Sequence, residues 1–209
     1  MSPLISHLIF FLAFIFTFNG KAHAWGKRGH VIVCETAAYL TSNEPHGKFL
    51  KSHSFDLGYY CNVPDFIWKR PASYKKEFFN HFMDFEIFDR ELKDSKLPDP
   101  FELTREKFNS TFPKIDNKAG RSWWRIRELD QQVAQKTKKL EKSKLKKEER
   151  HQLQAEWLSL MGAIGHYVGD LAQPLHVTEN YDGQMTKQKG IHHYFEETLV
   201  DELYAQGRQ

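Results

Sequence analysis

The stretch from 149 to 171 constrains the fold more than any other part of the chain. Leu153, Trp157, Leu160, Met161, Ile164 and Val168 recur along it at helical spacing, and Pro174 bounds it. A helix of this length with one apolar stripe must bury that stripe against other elements. Nowhere does the sequence alternate apolar and polar residues as a half-buried strand would. The expected architecture is therefore all-α. Further helices are expected over 31–40, with Pro45 past its end, over 78–92, around Trp124, Ile126, Leu129 and Val133, and over about 192–205. Residues 58–75, broken by Gly58, Pro64 and Pro71, read as irregular. Residues 93–120, with Pro98, Pro100 and Pro113, read as a loop. The Lys- and Glu-rich stretch 136–150 reads as a solvated helix face or hairpin, with a phosphate-binding patch as the alternative.

The long helix also carries chemistry. His166 and Asp170 are four apart, so they share one face, and His176 follows just after Pro174. An imidazole and a carboxylate one turn apart suit a zinc ion. A surface ion pair is the plain alternative, but both residues lie beside the apolar stripe, where a charge needs a partner. The last helix repeats the geometry with His192 and Glu196. His193 and Glu197 form a competing pair turned about 100° around the same helix, and periodicity does not choose between them.

The amino-terminal region holds a third signal. Residues 8–18 form an apolar run too short to span a bilayer and suited to the core of a signal peptide. Ala22-His23-Ala24 supplies a small-x-small cleavage site. Cleavage after Ala24 makes Trp25 the first mature residue, ahead of Gly-Lys-Arg-Gly-His30. A free α-amino group and the carbonyl of the same residue can chelate a metal once the amine loses its proton, which its ordinary pKa near 7.7–8.0 makes easy. His30 could complete that set. A fourth signal is His81-Phe82-Met83-Asp84-Phe85-Glu86, preceded by Asp65, which alone reads as a turn residue after Pro64. In an exported protein Cys34 and Cys61 either pair or remain two buried thiols; the sequence leaves both open.

Taken together, these motifs resemble the S1/P1 nuclease family and its wider superfamily, shared with zinc-dependent phospholipase C. His166-Tyr-Val-Gly-Asp170-Leu-Ala-Gln-Pro174-Leu-His176 is the most specific part of the resemblance, which covers nearly all of the chain from Trp25 to about Glu196. It implies a single helical, zinc-dependent domain over 25–209 with a short carboxyl-terminal end. It also implies three Zn2+ ions. Asp65, His81, His166 and Asp170 would hold one. His176, His192 and Glu196 would hold a second, with His192 and Glu196 favoured over the pair one residue on because Gly190-Ile191 precedes the metal histidine. The Trp25 amino and carbonyl groups, His30 and a bridging Asp170 would hold the third. The implied reaction is phosphodiester hydrolysis by a zinc-activated water, with Asp65 placing that water or taking its proton.

The two branches of the superfamily leave different marks. Trp-Gly-x-x-Gly-His and His-Phe-Met-Asp-Phe-Glu look like the nuclease branch, in which Phe82 would stack on a base of single-stranded DNA or RNA. Glu196, rather than Asp, looks like phospholipase C. Trp68 stands where the nuclease branch has an arginine, and Lys69 or Arg70 would have to replace it. An exported (periplasmic or secreted) nuclease giving 5′-phosphorylated products is thus the leading expectation, with no stable protein partner implied. A phospholipase acting on lipid head groups and a non-catalytic zinc-binding homologue are the alternatives. The net charge of +3 carries no electrostatic footprint of a nucleic-acid partner and does not hinder a phosphate substrate.

Overall fold

The computed structural model describes residues 25–70, 74–93, 96–142 and 144–207. The expected leader over 1–24 lies outside them. Among the described residues there is no strand, and the one isolated antiparallel bridge joins Met83 to Gly120. In chain order the helices are α1 (Lys27–Leu40), α2 (Gly47–Ser52), α3 (Ser54–Cys61), α4 (Tyr74–Glu77), α5 (Phe85–Leu92), α6 (Arg105–Thr111), α7 (Ser122–Leu140), α8 (Lys147–Ala172), α9 (Ile191–His193) and α10 (Leu199–Ala205). π-type turns cover Pro64–Trp68 and Tyr194–Thr198. No described helix is long and apolar enough to cross a membrane.

α8 is the central element and packs against α7, α3 and α1. Trp157 and Leu158 of α8 join Cys34, Ala38, Leu50 and Leu57 in one core. Met83, Phe88, Phe108 and Trp124 centre a second, under α5, α6 and α7. The apolar stripe of α8 does not run its full length, for Val168 is 47% exposed. Over the last turns the buried face is instead Gly162, Ala163, His166, Tyr167, Gly169 and Asp170. The reason is close backbone approach. A Cβ on Gly162 would meet Tyr60 Cβ at 2.6 Å and the Cys61 backbone nitrogen at 2.9 Å. Cys34 and Cys61 are disulfide-bonded, with Cα atoms 6.3 Å apart, which ties α1 to the end of α3. Closing a loop of this length contributes about 3–4 kcal/mol in the chain-entropy account.

The structure corrects three local expectations. Residues 58–75 are not irregular: α3 ends inside them and the Pro64–Trp68 turn follows. Proline fits that turn because it stands at its first position, where its missing N–H costs nothing. The stretch 93–120 contains α6, which Thr104 caps by accepting from Lys107 N at 3.3 Å, and Phe108 anchors it in the second core. The helix expected over 78–92 breaks at 81–84. There Met83 N donates to His176 O and Asp84 N to Ala119 O, both at 2.9 Å. Gly120, at φ +86°, lets the bridge close, since a Cβ there would sit 2.0 Å from Phe82 O. Tertiary acceptors thus take the amide protons that a continuing helix would have used.

Candidate metal centre

Three groups of buried histidines and carboxylates gather at the carboxyl end of α8. His30, His166 and Asp170 form one; Asp65, His81 and His166 form another; His176, His192 and Glu196 form the third. Asp170 links the first two. Its Oδ1 lies 3.4 Å from His30 Nε2, while its Oδ2 lies 3.1 Å from His81 Nδ1 and 3.3 Å from His166 Nε2. The His30 and His166 rings stack with centroids 3.9 Å apart. Asp65 Oδ1 stands 3.6 Å from His81 Nδ1 and 3.9 Å from His166 Nε2.

Each element has a local reason to present these groups. The break at 81–84 frees His81 from a helix and turns it inward. The α8 helix places His166 and Asp170 one turn apart, and Pro174 ends it so that His176 can turn back beside them. The His192 and Glu196 side chains are buried, whereas His193 and Glu197 are 67% and 39% exposed. The structure thus selects the first pair.

The hydrogen bonds decide what these rings can do. His166 Nδ1 faces Cys61 O at 2.7 Å, His176 Nδ1 faces His81 O at 2.7 Å, and His192 Nδ1 faces Tyr181 O at 2.9 Å. A carbonyl can only accept, so each Nδ1 carries a hydrogen and each ring turns its Nε2 toward the site, the atom that holds a lone pair when the ring is neutral. His176 Nε2 and His192 Nε2 are then 3.1 Å apart, and 2.9 Å and 2.7 Å from Glu196 Oε1. Two ring nitrogens and a carboxylate oxygen thus converge on one point, an arrangement that a cation satisfies. Carbonyl-backed histidines of this kind are the usual support of a bound metal. Asp170 Oδ1 and both His30 nitrogens are buried and have no hydrogen-bond partner among the described residues. The residues therefore fit a metal ion.

Electrostatics agrees. Burial holds His30, His81 and His166 well below the ordinary histidine range, so they are neutral at pH 7; Lys69 pushes His81 and His166 further down. Burial raises Asp170 well above the usual carboxylate range, and the neighbouring Asp65 adds to this. Burial also acts to raise Glu196, but the hydrogen bonds from His176 and His192 outweigh it and hold the group low.

Not every residue singled out in the sequence joins the clusters. Asp84 and Glu86 stay outside; Glu86 is exposed and accepts from Thr178 Oγ1 at 2.5 Å. Trp68 packs with Leu129, Ala163 and Tyr167, under the Arg125 guanidinium at 5.0 Å. Lys69 is the cation that reaches the centre, with Nζ 2.8 Å from Asp65 Oδ1. Phe82 is half-buried and meets Phe78 edge-on at 5.4 Å. The Trp25 indole donates to Gly169 O at 2.8 Å and packs on Phe195, which keeps the residue beside His30.

Two supporting groups went unread in the sequence. Gln173 donates to Glu196 Oε1 and accepts from Leu175 N, fixing the carboxylate. Its place inside the α8 motif was the available signal. Glu77 accepts from the Tyr167 hydroxyl and lies 3.9 Å from His81 Nε2. No pattern in the sequence marks Glu77. A cleft of about 920 Å³ opens onto Asp65 and Glu196, with Phe55, Phe66 and Tyr204 in its walls.

A helical scaffold that buries three histidine–carboxylate groups, two of them sharing His166, defines a protein with clustered candidate metal sites. The chain belongs to the S1/P1 nuclease family: a model described as S1/P1 Nuclease matches residues 25–190. That membership carries a nuclease-type phosphodiesterase function. The match stops just short of His192 and Glu196, whose burial beside His176 brings them into the site. No curated protein and no solved structure matches the chain.

Proposed function

We propose that this chain is an exported, zinc-dependent endonuclease that hydrolyses single-stranded DNA or RNA to 5′-phosphorylated products. The observation that carries the reading is the convergence of buried ring nitrogens and carboxylate oxygens around Asp170 and Glu196, in a chain of this family. Asp65, His81, His166 and Asp170 would hold one ion. His176, His192 and Glu196 would hold the second, and the Trp25 amino and carbonyl groups, His30 and Asp170 the third. Bound zinc lowers the pKa of a coordinated water toward about 7 and neutralises charge on phosphoryl oxygens. Asp65, which lines the cleft, would orient the attacking water or take its proton. Lys69, held against Asp65, supplies positive charge where the phosphate would lie. Phe82, beside His81, offers a ring face to a base, a contact typically worth about 1–3 kcal/mol. Removal of residues 1–24 during export would free the Trp25 amino group, and the disulfide suits an oxidising compartment.

One observation favours a second reading, phospholipase C activity. The cleft walls combine Phe55, Phe66 and Tyr204 with Glu35, Glu197 and Asp201. Aromatic faces beside carboxylates suit a quaternary ammonium head group. The deciding experiment offers the zinc-loaded chain starting at Trp25 single-stranded DNA, RNA and phosphatidylcholine in parallel, with chelator and His166→Ala as controls. Cleavage of nucleic acid, lost in both controls, is the expected result. Head-group release alone moves the protein to the second reading, and no turnover on any substrate reduces it to a zinc-binding homologue.

A further inference from the structure

We infer that the tip of the α7–α8 hairpin is a docking arm for the single-stranded substrate, remote from the metal centre; the inference rests on the nuclease reading. Between 136 and 150 eight basic residues face three acidic ones. That local excess of five exceeds the net charge of +3 carried by the whole chain, so the rest of the molecule is slightly acidic. The tip is thus a local basic patch that attracts a polyanion.

The charges there are free and rigidly presented. Lys138, Lys139, Lys142, Lys146 and Lys147 are exposed, and none forms an ion pair with a described residue. Only Lys136 is engaged, with Glu156. Arg150 braces the hairpin by donating to Leu140 O at 2.9 Å and to Lys142 O at 3.2 Å. Lys138 and Lys139 close α7, where a helix dipole favours cations. Lys146 and Lys147 open α8, where the dipole disfavours them, although Glu148 and Glu149 offset part of that. Helix stability therefore does not account for the second pair of lysines, and binding of an external anion does.

Geometry sets the length of substrate that can feel the arm. Nineteen residues of α8 separate Lys147 from His166, a span of about 28 Å at 1.5 Å per residue. At roughly 3.4 Å per stacked nucleotide this is about eight nucleotides. Shorter substrates reach the metal centre without touching the tip.

The test replaces Lys138, Lys139, Lys142, Lys146 and Lys147 by Gln in the zinc-loaded chain, with the same five changed to Arg as a partner variant. Cleavage of a dinucleotide and of a 20-nucleotide single strand is followed from low to high salt. Binding of the labelled 20-mer is also measured by anisotropy in chelator. The Gln variant should cleave the dinucleotide like the parent and lose about a hundredfold in kcat/KM and affinity for the 20-mer near 0.1 M salt, if about three phosphate contacts vanish at a slope of roughly 0.7 each. The Arg variant should match the parent. Equal effects on both lengths, no effect on either, or binding of the tip to anionic phosphatidylserine vesicles but not to the 20-mer would each overturn the inference. A parent that binds the 20-mer through the tip yet cleaves neither length would instead defeat the nuclease reading.

Discussion

Substituting Ala at Gly162 and at Gly169, two glycines of the same helix, should have opposite effects. In a helix interior Ala is favoured over Gly by about 0.8–1.0 kcal/mol. At Gly169 a Cβ finds its nearest neighbour, Val33 Cγ1, at 3.5 Å, an ordinary contact. Gly169→Ala should therefore stabilise the protein by up to about 1 kcal/mol. At Gly162 the new atom would lie 2.6 Å from Tyr60 Cβ and 2.8–2.9 Å from the α3 backbone. Backbone cannot step aside as a flexible side chain can, so α3 must move by about 0.5–0.8 Å to restore normal contact. Overpacking of this kind costs about 1–3 kcal/mol, which offsets or outweighs the propensity gain and leaves a net loss of up to about 2 kcal/mol. The shift also carries Cys61 O away from His166 Nδ1, now at 2.7 Å. A metal ligand that loses its orienting partner typically loses about 10–100-fold in metal affinity. Thermal unfolding of the metal-free variants should separate their midpoints by about 2–12 °C, given about 2–4 °C per kcal/mol for a domain of this size. Zinc titration against a competing chelator should show weaker binding for Gly162→Ala alone. A Gly162→Ala protein as stable as Gly169→Ala, with unchanged zinc affinity, would refute the argument that close α3–α8 packing positions the centre.

Three other outcomes follow from the same structure. Reducing the Cys34–Cys61 bond should cost about 3–4 kcal/mol, seen as a lower urea midpoint, and an unmoved midpoint would count against it. The metal-free protein should lose stability in acid. His30, His81 and His166 have folded pKa values below their unfolded ones, so their contribution is complete above about pH 6.5 and declines as pH falls below it. Asp170, raised by burial, acts in the opposite sense, but one group against three leaves a falling midpoint from pH 7 to pH 5, and a flat profile would contradict this. Asp84 is pushed up to about 7, first by burial and then by Glu86 and Glu179. A raised folded pKa costs stability as pH rises from about 4 to about 7, so Asp84→Asn should add about 1–2 kcal/mol at pH 8, after allowance for screening, and nothing below about pH 3. Equal gains at both pH values would show another cause.

Much of the site is local in sequence and was legible there. His166, Asp170 and His176 are fixed relative to one another by a helix and a proline, and both constraints act within a few residues. The all-α character was equally legible, because the 3.6-residue apolar period is written along the chain. The competition between His192–Glu196 and His193–Glu197 was open to periodicity. Both pairs satisfy it, and only the burial of one face against the rest of the fold distinguishes them. Glu77 and Gln173 act through residues 90 and 23 positions away, a relation no local pattern encodes.

The chain by itself determined its ligand types, their spacing within each helix and the helical class, since those follow from backbone geometry over one or two turns. Tertiary structure decided which carbonyl backs which imidazole, that Asp170 turns one oxygen to His30 and the other to His81 and His166, and that the helix expected over 78–92 breaks so that His81 can enter. Those outcomes depend on amide protons and side chains finding partners far along the chain. The close approach of α3 to a glycine face of α8, for one, brings Cys61 O within hydrogen-bonding distance of His166.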